Sequence, residues 1–252
     1  VVRPFTKRRP GAPAGFFEVE AAGLRWLAAA GGARLARVIE VTPTALTVER
    51  VESARPTRRA AVEFGAALAR THDAGAAGFG TGPDGWDGDG FIGDTALSLR
   101  PTERWGSFFA GQRVLPYAVG AVDNGSLSTT GRRVIERVCE RLADGEFDDG
   151  APPARIHGDL WSGNLLWSGE GVVLIDPASH GGHRLTDLAM LALFGAPQLD
   201  AVVDAYLGAS RHPPEDWRNL IGLHQLHPLL VHAVLFGGGY GDQAVATARR
   251  YA

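Results

Sequence analysis

Two short apolar runs, Leu165-Leu-Trp167 and Val172-Val-Leu-Ile175, flank Ser168-Gly-Glu-Gly171, and no other feature narrows the folds open to this chain as far. Runs of that length, broken by two glycines and a polar pair, predict a β-hairpin. Asn164 stands just before the first strand and Asp176 just after the second. A hairpin returns its ends to one place, so Asn164 and Asp176 are expected side by side at its open mouth. Two hard oxygen donors there suit a divalent cation such as Mg²⁺. Asp159 lies upstream in the same loop, placed to accept a proton from an attacking hydroxyl. Asp and Asn also decorate ordinary turns. That explains each residue singly and leaves their joint spacing unexplained.

Asp159-x-x-x-x-Asn164 followed by Asp176 matches the order in which protein kinases present a catalytic base and two metal ligands, with Gly158 where their H-R-D signature has Arg. The whole stretch His157-Gly-Asp-Leu-Trp-Ser-Gly-Asn164 resembles the signature of the fructosamine kinase (ketosamine-3-kinase) family, in the aminoglycoside-phosphotransferase-like branch of the kinase fold. Further segments agree in order: Phe64-Gly with Leu68 and His72, Phe91-Ile-Gly93, Trp105 with Phe108-Phe109 and Arg113, Asp176-Pro-Ala178 with Gly182-His-Arg184 and Asp187-Leu-Ala-Met190, and Leu235-Phe-Gly-Gly-Gly-Tyr240. The Trp161-Ser-Gly163 insert is the specific part. The D-x-x-x-x-N frame alone says only kinase-like phosphotransferase.

The resemblance implies an α+β, two-lobed protein-kinase-like fold. A small α/β lobe would span residues 1–52 and a larger, mostly helical lobe 53–252, with the catalytic loop and substrate site in the second. It implies ATP and Mg²⁺ as cofactors and phosphorylation of a sugar hydroxyl on a ketosamine, such as a sugar joined to lysine. Asp159 would be the base, and Asn164 and Asp176 the metal ligands. Lys7, set by Glu20 on the following helix, would position the phosphates, with Arg8 as an alternative neighbour. Backbone groups from Glu49 to Val51 would meet the adenine edge. Trp161 would stack on the sugar or simply pack the loop. His183 and Arg184 would face the substrate and the reacting phosphate, unless Arg184 pairs with Asp187 or Asp176. Asp187, heading an apolar helix, reads as an N-cap or as an anchor of the catalytic loop. Only six residues precede Lys7 in a sequence that begins at Val1, and none is Gly, so the glycine-rich hairpin of kinase-like enzymes is not expected here. A related phosphotransferase for an aminoglycoside or choline-like amine, and a non-catalytic nucleotide-binding pseudokinase, remain as alternatives.

Along the chain, residues 3–7 read as a strand and 15–30 as a helix with Phe16, Phe17, Leu24 and Leu27 on one arc. Residues 36–39 and 45–50 read as strands. A long helix over 57–73 would turn Val62, Phe64, Gly65, Leu68 and Ala69 inward. Further helices are expected over 105–116, 131–142, 187–194, 200–206, 217–236 and 242–251. Asp87-x-Asp89 lacks the remaining ligands of a calcium loop and reads as turn chemistry. His224, His227 and His232 share a helical surface, but no carboxylate or Cys completes a zinc set. Gly237-Gly-Gly-Tyr-Gly241 lacks the Lys-Ser/Thr pair of a phosphate loop and reads as a helix stop.

A formal net charge of −3 gives no bulk attraction to nucleic acid or acidic membranes. The single cysteine, Cys139, excludes an internal disulfide and reads as a small buried apolar group beside Val134, Ile135, Val138 and Leu142. No secretory leader opens these residues and no apolar run stands out as a bilayer span, so a cytoplasmic protein is expected. The expected partner is a small-molecule ketosamine or glycated lysine. Oligomeric state is left open.

Overall fold

The computed structural model describes residues 3–214 and 216–252. The amino-terminal part runs β1 (Pro4–Arg8), α1 (Phe16–Ala28), β2 (Arg34–Leu35), β3 (Val38–Thr42) and β4 (Ala45–Glu49). β4 lies between β1 and β3 and is antiparallel to both. On α1, the expected arc buries Phe17, Leu24 and Leu27, joined by Ala21 and Trp26. Phe16 departs from that arc and stays half-buried, because it faces the cavity described below.

An extended segment over 50–57 leads into α2 (Arg58–Asp73). Thr57 caps it, its hydroxyl accepting from the Ala60 N–H at 3.2 Å. Phe64, Gly65, Leu68 and Ala69 are buried as expected, but Val62 is 43% exposed. Two residues is about 200° around a helix, so Val62 and Phe64 face opposite sides.

The remainder is mostly helical. It comprises β5 (Gly90–Ile92), β6 (Thr95–Leu97), α3 (Trp105–Phe108), α4 (Leu115–Asp123), α5 (Thr129–Asp144), β7 (Ala154–Ile156), β8 (Leu165–Ser168), β9 (Gly171–Leu174), β10 (His180–Gly182), α6 (Leu185–Phe194), α7 (Leu199–Ala209), α8 (Trp217–Phe236) and α9 (Tyr240–Ala248). The single helix expected over 105–116 is broken by a π-helical turn at Phe109–Val114. Pro116 has no N–H to offer the Gln112 carbonyl four residues back, and the ladder widens just ahead of it. The Arg113 guanidinium donates to that carbonyl instead, at 3.1 Å. Asp89 is a turn residue, accepting from the Leu99 N–H at 3.0 Å.

Two apolar cores result. One joins α3, α4, α5, α8 and α9, with Cys139 buried among its four expected neighbours. The other joins α1, α2, α6, α7 and the β8–β9 hairpin. This second core crosses the boundary expected at residues 52–53. So does backbone pairing, since β2 runs parallel to β9 with Arg34 opposite Val173 and Leu35 opposite Leu174. The helix α8 does have the length and apolarity to cross a bilayer, contrary to the sequence reading, but 56% of its apolar window is buried within the fold. Gly237 ends it at φ 66°, and Gly241 packs against the Ser126 carbonyl.

Candidate active site

The β8–β9 hairpin forms in the expected register, Leu165 opposite Leu174 and Ser168 opposite Gly171. Its mouth closes with the Ile175 N–H donating to the Asn164 carbonyl at 3.2 Å. Asn164 and Asp176 are thereby neighbours, and the Asn164 Nδ2 lies 3.5 Å from the Asp176 carbonyl. The same Nδ2 donates to the Asp159 carboxylate at 3.0 Å and to the Asp159 carbonyl at 2.8 Å. Asp176 sits at φ 55°, a left-handed conformation uncommon for non-glycine residues and most accessible to Asn and Asp.

From across the fold, β1 brings Lys7 to the same point. Its ammonium donates to Glu20 Oε1 at 2.6 Å and also to Asp176 Oδ1. Burial alone would lower the lysine pKa, but the two carboxylates outweigh it and hold the ammonium above its ordinary value. Glu20, on the inner face of α1, is pushed up by burial despite Lys7. Asp159 is pushed up to about 6, chiefly by burial; the Asn164 amide opposes the shift and nearby Asp176 adds to it. A carboxyl with that pKa is ionised at neutral pH and basic enough to take a proton.

The loop carrying Asp159 is held from behind by a residue whose role the sequence left open. Asp187, near the start of α6 and fully buried, accepts from the His157 N–H at 2.8 Å and the Gly158 N–H at 2.9 Å. It thus anchors the loop rather than capping its own helix. His72 Nε2 reaches the same carboxylate at 3.1 Å, and its Nδ1 meets the Tyr206 hydroxyl at 2.7 Å. Burial would raise Asp187, but the hydrogen bond from His72 and that from His157 keep it below the usual carboxylate range. His157 completes the frame, with Nε2 on the Ile175 carbonyl at 2.9 Å and Nδ1 accepting from the Asp159 N–H at 3.2 Å. Gly158, at φ 80°, is required: a Cβ there would collide with the Ala178 carbonyl.

These residues line one cavity of about 360 Å³, with Lys7, Glu20, Asp159, Asn164 and Asp176 on its polar side and Phe16, Phe91 and Trp161 among its apolar walls. Trp161 is 42% exposed, and its ring folds over Gly163. The structure therefore gathers Lys7, Glu20, Asp159, Asn164, Asp176 and Trp161. Glu49 and Val51 stay outside the cavity lining, and the Glu49 N–H is taken by the Arg37 carbonyl at 2.8 Å.

His183 and Arg184 do not face the cavity. Arg184 is 1% exposed and pairs with Asp73 at 2.6 Å, neither of the partners the sequence suggested. His183 is buried beside Trp105 and His224 and contacts Asp149 at 3.1 Å. The cause is strand pairing: β10 runs antiparallel to β7 directly after Ala178 and carries the chain away from Asp176 into the helical core. His224 meets the Thr186 hydroxyl, His227 the Arg113 carbonyl and His232 the Pro228 carbonyl, so each imidazole has a structural partner.

Asp176 and Asn164 fit a divalent cation that takes its remaining oxygens from phosphate and water. The Asp176 side chain is 42% exposed, and the Asn164 Oδ1 accepts no hydrogen bond among the described residues.

Comparison with known proteins places this geometry. A profile of the family described as fructosamine kinase matches residues 3–251. A protein assigned as a ketoamine kinase in Synechocystis is 35% identical over 90% of this chain and 76% of its own length. A crystal structure from Thermobifida fusca, assigned as a fructosamine-3-kinase, superposes with a TM-score of 0.91 at 47% identity, covering 99% of this chain and 85% of that one. A choline kinase from Streptococcus pneumoniae shares the fold at 16% identity, with a TM-score of 0.65 over 99% of this chain and 87% of that one. The fold is thus protein-kinase-like, and the chain belongs to the fructosamine kinase family, phosphotransferases that act on a sugar hydroxyl.

Proposed function

We propose that this protein uses Mg²⁺ and ATP to phosphorylate the sugar 3-hydroxyl of ketosamines, glycated lysine among them. The observation that carries the reading is the convergence of Asp159, Asn164, Asp176 and Lys7 on one cavity, built around the family's specific loop. Asp159 takes the acceptor hydroxyl's proton as the oxygen attacks the γ-phosphorus and the bond to the ADP oxygen breaks. The Asn164 amide fixes the carboxylate in place. Asp176 and the Asn164 Oδ1 would hold Mg²⁺, which when bound offsets phosphate charge. Lys7, already held by Glu20, moves from Asp176 to the phosphates. Glu20 stays with the ammonium and favours its protonated form.

Incubation with MgATP and the glucose adduct of lysine tests the reading. Phosphate on the sugar, at O3 by ³¹P NMR, with one ADP per adduct is expected. The same assay includes choline and an aminoglycoside. Turnover of either in preference to the ketosamine, or none of the ketosamine at all, overturns it.

A further inference from the structure

The cavity's charge and apolar walls define more than the phosphoryl-transfer centre. Lys7 is the sole cationic residue among its described lining residues, and Glu20 and Asp176 already occupy it. Glu20, Asp159 and Asp176 leave the lining net negative, and a magnesium nucleotide, itself anionic, does not reverse that sign. A carboxylate next to the acceptor's nitrogen finds no free cation among these lining residues. A ketosamine nitrogen, a secondary amine protonated at neutral pH, finds carboxylates and aromatic faces.

The aromatic faces come from both halves of the molecule. Phe16 on α1 and Phe91 on β5 stand with ring centroids 5.2 Å apart and planes at 54°, both only half-buried. The arrangement is tied at its rim. The Arg9 guanidinium lies 4.8 Å over the Phe16 ring and bonds Asp94, in the turn after β5, at 2.6 Å. Arg9 thus lies outside the cavity lining, at its rim, with its charge already matched by Asp94. Two half-exposed rings, held by the Arg9–Asp94 clamp beside a net-negative centre, match an ammonium with an apolar substituent.

We infer that Phe16 and Phe91 form the subsite for the group on the acceptor's amine nitrogen, selecting ketosamines with a neutral or cationic apolar substituent against those with a carboxylate beside the nitrogen. The inference rests on the ketosamine reading above. It predicts a preference within that substrate class.

The test compares the glucose adducts of benzylamine and of glycine as acceptors at saturating MgATP. The wild type should prefer the benzylamine adduct by about ten-fold or more in kcat/KM. F91A should erase most of that preference by raising KM for the benzylamine adduct, while KM for MgATP moves less than about two-fold. F91L keeps apolar bulk without a ring face and should fall between them. Circular dichroism checks that each variant is folded, and F16A supplies a second, independent truncation of the pair. Equal kcat/KM for the two adducts in the wild type overturns the subsite alone. So does an equal loss on both adducts in F91A and F16A. A wild type that phosphorylates neither adduct overturns the functional reading and the subsite with it.

Discussion

At the scale of single residues, the proposed base, Asp159, comes with a cost in stability. Its carboxyl is raised to about 6 by burial. The free enzyme's kcat/KM should therefore fall roughly ten-fold per pH unit below about pH 6. A flat profile down to pH 5 would remove Asp159 as the base. The stability sign is opposite to that of an ion-paired carboxylate. A folded-state pKa above the unfolded one means that the native state binds the proton more tightly, so stability falls as pH rises from about 4 to about 6 and stays reduced above. Asp159→Asn should consequently lose about 10²–10⁴ in kcat while the nucleotide-free protein gains on the order of 1–2 kcal/mol at pH 7.5. That gain should vanish near pH 4 in thermal melts. The meeting of Asn164 and Asp176, with Asp159 in the loop before them, was legible in the sequence because a hairpin is a local structure whose ends must meet. His183 and Arg184 were not, because their direction depends on β10 pairing with β7, a contact between segments that carry no register signal of their own.

At the scale of elements, the catalytic loop is only as stable as its fit to neighbouring backbone. Gly158 is pressed against the Ala178 carbonyl at a positive φ, so Gly158→Ala strains the backbone and drives a methyl into a carbonyl oxygen. A loss on the order of 2–4 kcal/mol follows, or about 5–15 °C in melting temperature for a chain of this length. An unchanged melting temperature would show that the loop relaxes freely. Asp187→Ala leaves the His157 and Gly158 N–H groups and His72 without their common acceptor, and should cost on the order of 3–5 kcal/mol. Its signature is enhanced hydrogen exchange at those two amides, ahead of global unfolding. Helix α8 was readable to its ends because it is one long apolar run stopped by Gly237, and α2 to within a residue because its apolar periodicity is strong. The π-helical turn was not, since Trp105 to Val114 keeps an ordinary helical pattern and only Pro116 hints at the break. Asp187 was visible as a helix-start residue, yet the groups it binds lie 29, 30 and 115 residues away and leave no mark near it.

At the scale of the whole molecule, two lobes were legible from element order, but the way they are joined was not. Periodicity marks which face of α1 is apolar without saying that it will share one core with α6, α7 and the hairpin. The second core spans that junction, and Gly23 of α1 lies so close to the 177–179 turn that a Cβ would strike the Ser179 hydroxyl. The Lys7 contact to Asp176 joins β1 to the hairpin mouth, and β2 adds a strand to β9. Neither half can unfold without exposing the other's apolar surface, so the nucleotide-free protein should melt in one cooperative step. Two probes report on it separately. Trp26 is buried in the shared core and Trp105 in the helical one. Single-tryptophan variants retaining one or the other, followed by fluorescence alongside far-UV circular dichroism, should give coincident urea transitions with a common midpoint and slope. Removing Lys7 tests the electrostatic part of the joint. Lys7→Met leaves Glu20 largely buried without its cation, which should lower the midpoint yet keep the curves superimposed, because the apolar core still couples the halves. An early Trp26 transition in the wild type would show that the small lobe unfolds alone, and that the shared core does not bind the two halves into one unit.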